Sequence, residues 1–152
     1  MRLWIARGVS LSNFSPIMKP PTFKEITTRL AKWEFPAGID GVVGIAWGGV
    51  VPAVLVAQRL DLGLKTIRVT YRDEAHGTRF MQPKVASEIP GLDPWKRVLL
   101  VDDLYVSGRS WNAARAMLPR TVEVLPFVLS GNVDFALFRD PKGCTDWPWS
   151  IA

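Results

Sequence analysis

One cysteine and one histidine in 152 residues set the first limits. Cys144 has no partner for an internal disulfide, which excludes a small disulfide-held scaffold, and a zinc site built from several cysteines goes with it. His76 alone cannot form the multi-imidazole cage of a histidine-rich metal centre. Long apolar runs are missing as well. No stretch of roughly eighteen uncharged apolar residues occurs, so no membrane-spanning helix is expected. Arg2, Arg7, Ser10, Ser12 and Asn13 interrupt the N-terminal segment, so a cleavable apolar leader is not expected and the cytoplasm is the expected location. Repeats, low-complexity tracts and interdomain linkers are absent too, which leaves one domain over residues 1–152.

What is present reads as an ordinary folded chain, with 48% hydrophobic and 22% charged residues. Nineteen Lys and Arg against fourteen Asp and Glu give a net charge of +5, and the isoelectric point is near 9.7. A basic balance suits an anionic partner such as nucleic acid, a membrane surface or a phosphorylated metabolite. The charges are scattered, however, and Arg115 and Arg120 flank an apolar helix without making a polybasic run. Neither nucleic acid nor membrane is the expected partner.

Residues 1–21 read as irregular. Thr22 followed by Glu25 has capping-box spacing, and Phe23, Ile26, Leu30 and Trp33 then share one helical face. Gly41 to Ala46 is a short apolar run, expected as a buried strand. Gly48 and Gly49 follow, then a helix from about Pro52 to Leu60, with proline in its tolerated first turn. Lys65 to Tyr71 is β-branched and reads as a strand. Arg72 to Pro94 has no sustained period, which suggests a long loop or a weak hairpin. Arg97 to Val101 is the second clear buried strand, Asp102 to Arg109 a polar loop, and Ser110 the cap of a helix ending near Leu118 and Pro119. Thr121 to Leu129 is another strand. Strands alternating with helices predict a parallel α/β sheet, whose ligands bind at the carboxyl ends of the strands.

Two loops fall at that edge. In VLLVDDLYVSGRS, Asp102 and Asp103 are adjacent carboxylates that repel each other unless a cation or a hydroxyl-bearing ligand binds between them. A divalent metal or a sugar diol meets that need. Ser107, Gly108 and Ser110 then enter a helix N-terminus, where free backbone N–H groups and hydroxyls favour a phosphate. The pairing describes a site for a ribose phosphate. A nucleotide-binding loop of the Gly-Lys-Ser type is absent. The second loop, GIAWGGVVP, offers Gly48 and Gly49, whose backbone can approach an anion closely.

These residues resemble a known family. VLLVDDLYVSGRS is similar to the ribose-phosphate signature of type I phosphoribosyltransferases, and GIAWGGVVPAVLVAQRLDL is similar to their pyrophosphate loop and its helix. The VTYRDE segment and the Pro148–Trp149 ending resemble the xanthine-guanine members most. The resemblance implies a Rossmann-like parallel sheet flanked by helices, a small hood over 130–152 and a flexible lid loop that includes Tyr71 and Arg72, with Arg79 and Lys84 as further cationic contacts. It implies transfer of ribose 5-phosphate from phosphoribosyl pyrophosphate to a nucleobase, a purine such as guanine, xanthine or hypoxanthine, with Mg²⁺ as cofactor. Asp102 and Asp103 would then hold the ribose hydroxyls, with Asp103 the metal ligand. Val106, Ser107, Gly108, Arg109 and Ser110 would bind the 5′-phosphate, and Trp47, Gly48 and Gly49 would face pyrophosphate in a loop that often holds a non-proline cis peptide. Trp147 is the candidate base-stacking residue, against a core or interface role, and a homodimer or homotetramer is implied.

The chain departs from that pattern at four positions. Val106 stands where 6-oxopurine members carry an acid, although adenine and orotate members are apolar there. Trp47 stands where an arginine or lysine is usual. Cys144 replaces a stacking aromatic, and Ser130 lies near an expected lysine. These departures leave a second expectation open, a sensor or regulator of the same fold that binds the sugar diphosphate or a nucleotide with little or no turnover.

Overall fold

The computed structural model describes residues 19–70, 84 and 85, 89, 91–139 and 146–150. The chain opens with α1 (Phe23–Lys32), then β1 (Gly41–Ala46), α2 (Val50–Leu60), β2 (Gly63–Thr70) and the two-residue β3 (Lys84–Val85). It continues with β4 (Arg97–Tyr105), α3 (Arg109–Met117), β5 (Glu123–Gly131) and β6 (Ala136–Arg139). The strands form one sheet in the order β3-β2-β1-β4-β5-β6, parallel throughout except for the antiparallel β2–β3 pair.

Local chemistry accounts for α1. The Thr22 hydroxyl accepts from the Glu25 backbone N–H at 3.1 Å, and the Glu25 carboxylate accepts from the Thr22 backbone N–H at 2.6 Å. This is the reciprocal cap the spacing predicts. Ile26, Leu30 and Trp33 are buried as expected, whereas Phe23 is half exposed and meets Trp149 edge-on.

Strand alternation divides the core into two layers. Val42, Leu99, Val101, Phe127 and Leu129 face α1, α2 and the C-terminal tail, while Val43, Ile45, Val98 and Leu100 face α3. Phe127 anchors the first layer, its ring centroid 5.4 Å from that of Trp33 and 5.2 Å from that of Phe35. Truncating such a fully buried phenylalanine costs about 3–5 kcal/mol.

Several expected boundaries move. The polar loop expected from Asp102 begins later, because β4 runs on to Tyr105 while β5 runs on to Gly131 beside it. Asp102 is registered with Val128, Leu104 with Ser130 and Tyr105 with Gly131. Backbone pairing thus outweighs the polarity of the two aspartates. β2 spans Gly63–Thr70 rather than 65–71, and α2 starts at Val50, ahead of Pro52. Helix α3 is capped by Gly108 in a left-handed conformation, not by Ser110, which lies inside the helix. The described part of residues 130–152 finishes β5, adds β6 to the main sheet and sends Trp147 into the first core layer. Among the described residues, no helix is long and apolar enough to cross a membrane.

Candidate active site

After β1 the chain crosses through α2 to β2 on one side of the sheet. After β4 it crosses through α3 to β5 on the other. The two crossovers therefore diverge between β1 and β4, and a crevice opens at such a switch point. Pairing of β1 with β4 ends at Gly44 and Val101, so the strand ends beyond are free to part. A cavity of about 280 Å³ lies there, lined from the β4 side by Asp102, Asp103 and the turn from Val106 to Ser110, and from the β1 side by Ala46 and Gly48. Its size is just below the roughly 300–1,000 Å³ usual for small-ligand sites.

The two aspartates differ sharply. Asp102 is 8% exposed, and its Oδ1 accepts the Asp103 backbone N–H at 2.9 Å. Burial, and then the neighbouring Asp103 charge, push its carboxyl well above the ordinary carboxylate range. Asp103 is half buried, and its Oδ2 accepts from the Trp147 indole Nε1 at 3.1 Å. Among the described residues, neither forms an ion pair.

The glycine turn lies against Asp103. A β-carbon on Gly48 would sit 2.5 to 2.6 Å from the Asp103 carboxylate atoms, so only glycine allows the loop this close. The Ala46–Trp47 peptide bond is cis. Gly49 caps α2, which has no side-chain cap. On the other side Gly108 has φ +75°, and a β-carbon there would meet the Tyr105 hydroxyl at 2.5 Å. The Ser107 hydroxyl accepts from the Arg109 backbone N–H at a long 3.4 Å, and Arg109 and Ser110 at the α3 N-terminus line the cavity. In the β1–α2 turn the Gly49 and Val50 N–H groups are spent on the Ile45 and Trp47 carbonyls, so Gly48 offers the exposed backbone on that wall. With the α3 N-terminus on the other wall and carboxylates between them, the crevice suits a ligand that is anionic and hydroxylated.

The chain matches the phosphoribosyl transferase domain over residues 16–133. It belongs to the phosphoribosyltransferase family. A curated relative, the adenine phosphoribosyltransferase of Nitrosopumilus maritimus, is 26% identical over 121 residues, covering 75% of this chain and 71% of the relative. The adenine phosphoribosyltransferase of Methanococcus maripaludis is 28% identical over 138 residues, covering 81% and 77%. Among solved structures, a purine phosphoribosyltransferase from Pyrococcus horikoshii aligns with a TM-score of 0.66 at 22% identity, over 88% of this chain and 95% of that one.

For a phosphoribosyltransferase, most of the expected site residues converge: Asp102, Asp103, Gly48 and the whole Val106–Ser110 turn share one cavity. Trp47 does not line it. Its ring is 75% exposed, with the Arg68 guanidinium 5.3 Å from the ring centroid. Gly49 packs behind the turn, between the Ile45 and Val101 carbonyls. Trp147 is 5% exposed and stacked on Trp149, so as placed it is a core residue with no open face for a base. Ser130 is fully buried within β5, not in a loop after it. Tyr71, Arg72, His76, Arg79 and Cys144, and with them most of the lid loop, lie outside the described residues.

The sequence reading missed two residues and the contact made by a third. Arg68 returns a cation to the glycine turn that Trp47 leaves uncharged, and the parallel register that puts Arg68 opposite Ala46 is the signal that could have found it. Trp111 lines the cavity, and its indole nitrogen is buried without an acceptor among the described residues. Trp147 was read for its ring, whereas its N–H makes the contact to Asp103; no local pattern announces that contact.

Proposed function

We propose that the chain transfers ribose 5-phosphate from phosphoribosyl pyrophosphate to a purine nitrogen, releasing pyrophosphate. The observation that carries this reading is the sharing of one crevice by Asp102, Asp103, Gly48 and the turn into α3. The 5′-phosphate is held by backbone N–H groups at the α3 N-terminus with the Ser107 and Ser110 hydroxyls. Asp103, the more exposed acid, holds the ribose hydroxyls. The pyrophosphate lies toward Gly48 and the α2 N-terminus, with Arg68 as the nearby cation. The base nitrogen forms a bond to C1 as the C1–oxygen bond breaks and its electron pair leaves on pyrophosphate, and the nitrogen's proton passes to solvent or to the departing pyrophosphate. Positive charge grows on the ribose meanwhile, so stabilising the departing anion dominates the rate.

Magnesium fits this donor set. It usually takes one or two carboxylates plus substrate phosphates instead of an all-protein cage, and among the described residues no cluster of three ligating side chains occurs. Asp103 would hold it. When bound, the ion supplies charge neutralisation to the pyrophosphate.

Adenine is read ahead of the 6-oxopurines. Val106 is 75% exposed at the phosphate turn and gives no acid to take a proton from a 6-oxopurine, and the relatives of Nitrosopumilus maritimus and Methanococcus maripaludis are named for adenine. The test is to incubate the chain with Mg²⁺, phosphoribosyl pyrophosphate and each of adenine, guanine, hypoxanthine and xanthine. Adenosine monophosphate is the expected product. A 6-oxopurine nucleotide instead overturns the choice of base. No nucleotide with any base, together with calorimetric binding of the sugar diphosphate, favours the sensor reading, for which the uncharged Val106 and Trp47 are the supporting observation.

A further inference from the structure

The tail contributes to the site from outside the family-matched region, which ends at residue 133. Alternation along β4 turns Asp103 toward the layer of Leu99 and Val101, the layer that also contains Trp147. There the indole Nε1 donates to Asp103 Oδ2 at 3.1 Å, across 44 residues of sequence. The indole is itself held. Its ring stacks on Trp149 at 5.6 Å and 12°, and the Trp147 backbone N–H donates to the Ser150 hydroxyl at 3.1 Å. Gly48 also comes so close that a β-carbon would strike both carboxylate oxygens. Asp103 is therefore gripped between the glycine turn and the tail, with Oδ2 engaged and Oδ1 left for a ligand.

We propose that Trp147 is a positioning residue for Asp103: its N–H fixes the carboxylate rotamer that receives the ribose hydroxyls or their cation. This rests on the reading of Asp103 given above. A carboxylate free to rotate would satisfy itself elsewhere and pay an ordering cost on each binding event, whereas a pre-oriented one does not.

The test uses the full chain with Mg²⁺ and phosphoribosyl pyrophosphate. Trp147→Phe keeps an aromatic ring in the stack while removing the donor and part of the ring volume, and it should weaken binding about tenfold by calorimetry, as expected for loss of a hydrogen bond to a charged group. Trp149→Phe disturbs the same stack without touching the donor and should change affinity by less than about twofold. In an Asp103→Asn background, Trp147→Phe should have almost no further effect, since the two residues act as one unit. Wild-type affinity in Trp147→Phe overturns the proposal, and so does an equal loss in both backgrounds. Should Trp147→Phe fail to fold, the assigned ¹⁵N indole resonance of Trp147 decides instead. It should move and exchange faster with water in Asp103→Asn, and an unmoved resonance overturns the contact. If the unmodified chain binds no phosphoribosyl pyrophosphate, the functional reading falls while the indole measurement still reports on the contact by itself.

Discussion

The two strand-end turns occupy equivalent places in the fold and, as the proposed anion sites, are built differently. The β4–α3 turn carries its chemistry in side chains, two acids and two serine hydroxyls, with Gly108 left-handed to bring the helix N-terminus round. The β1–α2 turn carries almost none. It works by having nothing at Gly48, so that backbone reaches the Asp103 carboxylate, and its charge comes from Arg68 on the neighbouring strand. One turn is legible as a motif, whereas the other is legible only as a shape.

The strongest way to break that contrast is to fill the shape. Gly48→Ala puts a methyl group on the Asp103 carboxylate and should lower kcat/KM about a hundredfold or more, the usual cost of displacing a positioned group by an ångström. Steady-state kinetics with saturating base measures it, and near-normal turnover would mean that the turn does not need its bare backbone. Next come the two acids. Asp103→Asn should weaken binding of the sugar diphosphate with Mg²⁺ by at least about tenfold, while Asp102→Asn should stay within about threefold because its carboxyl already serves a backbone N–H.

Stability should separate the same pair. The raised Asp102 pKa means that the folded chain keeps a proton which the unfolded chain releases above 3.8. Folding stability therefore falls as pH rises from that value through the raised one. Asp102→Asn should remove this fall in denaturation curves taken across that range.

A smaller effect tests the charge borrowed by the glycine turn. Arg68→Gln should raise KM for phosphoribosyl pyrophosphate about threefold at low salt and less at high salt, since an exposed cation is screened. Trp47→Arg should recover the loss; if it does not, the charge is needed elsewhere. The smallest effect concerns the other ends of the same two strands. There Asp40 accepts from the Lys96 and Arg97 backbone N–H groups at 2.7 and 2.8 Å, and these bonds lower its pKa. A depressed carboxylate stabilises above the ordinary value of 3.8, and the contribution disappears as pH falls through the folded value. Asp40→Asn should thus reduce thermal stability at neutral pH, with the difference closing in acid and with catalysis untouched.

Much of the site was readable in advance because its parts are close in sequence. Asp102 to Ser110 is one continuous segment, and Gly48 and Gly49 follow a strand recognisable from its apolar run. The misreadings came where pairing across the sheet decided the matter. Polarity suggested that β4 stops at Asp102, but β5 alongside carries it to Tyr105 and thereby turns the two acids to opposite faces. Ser110 has the composition of a cap, yet Gly108 takes the place because only glycine enters the left-handed turn beneath Tyr105 without strain.

Composition, periodicity and the aspartate-serine motif alone were enough to determine an α/β chain and to point to a candidate ribose-phosphate site, because each is encoded within a strand, a helix or a single turn. The tertiary structure decided which acid is buried and which stays half exposed, that Arg68 reaches Trp47 and that Trp147 holds Asp103. Those relations join residues tens of positions apart, and only strand alternation, register and packing bring such residues within hydrogen-bond or van der Waals range.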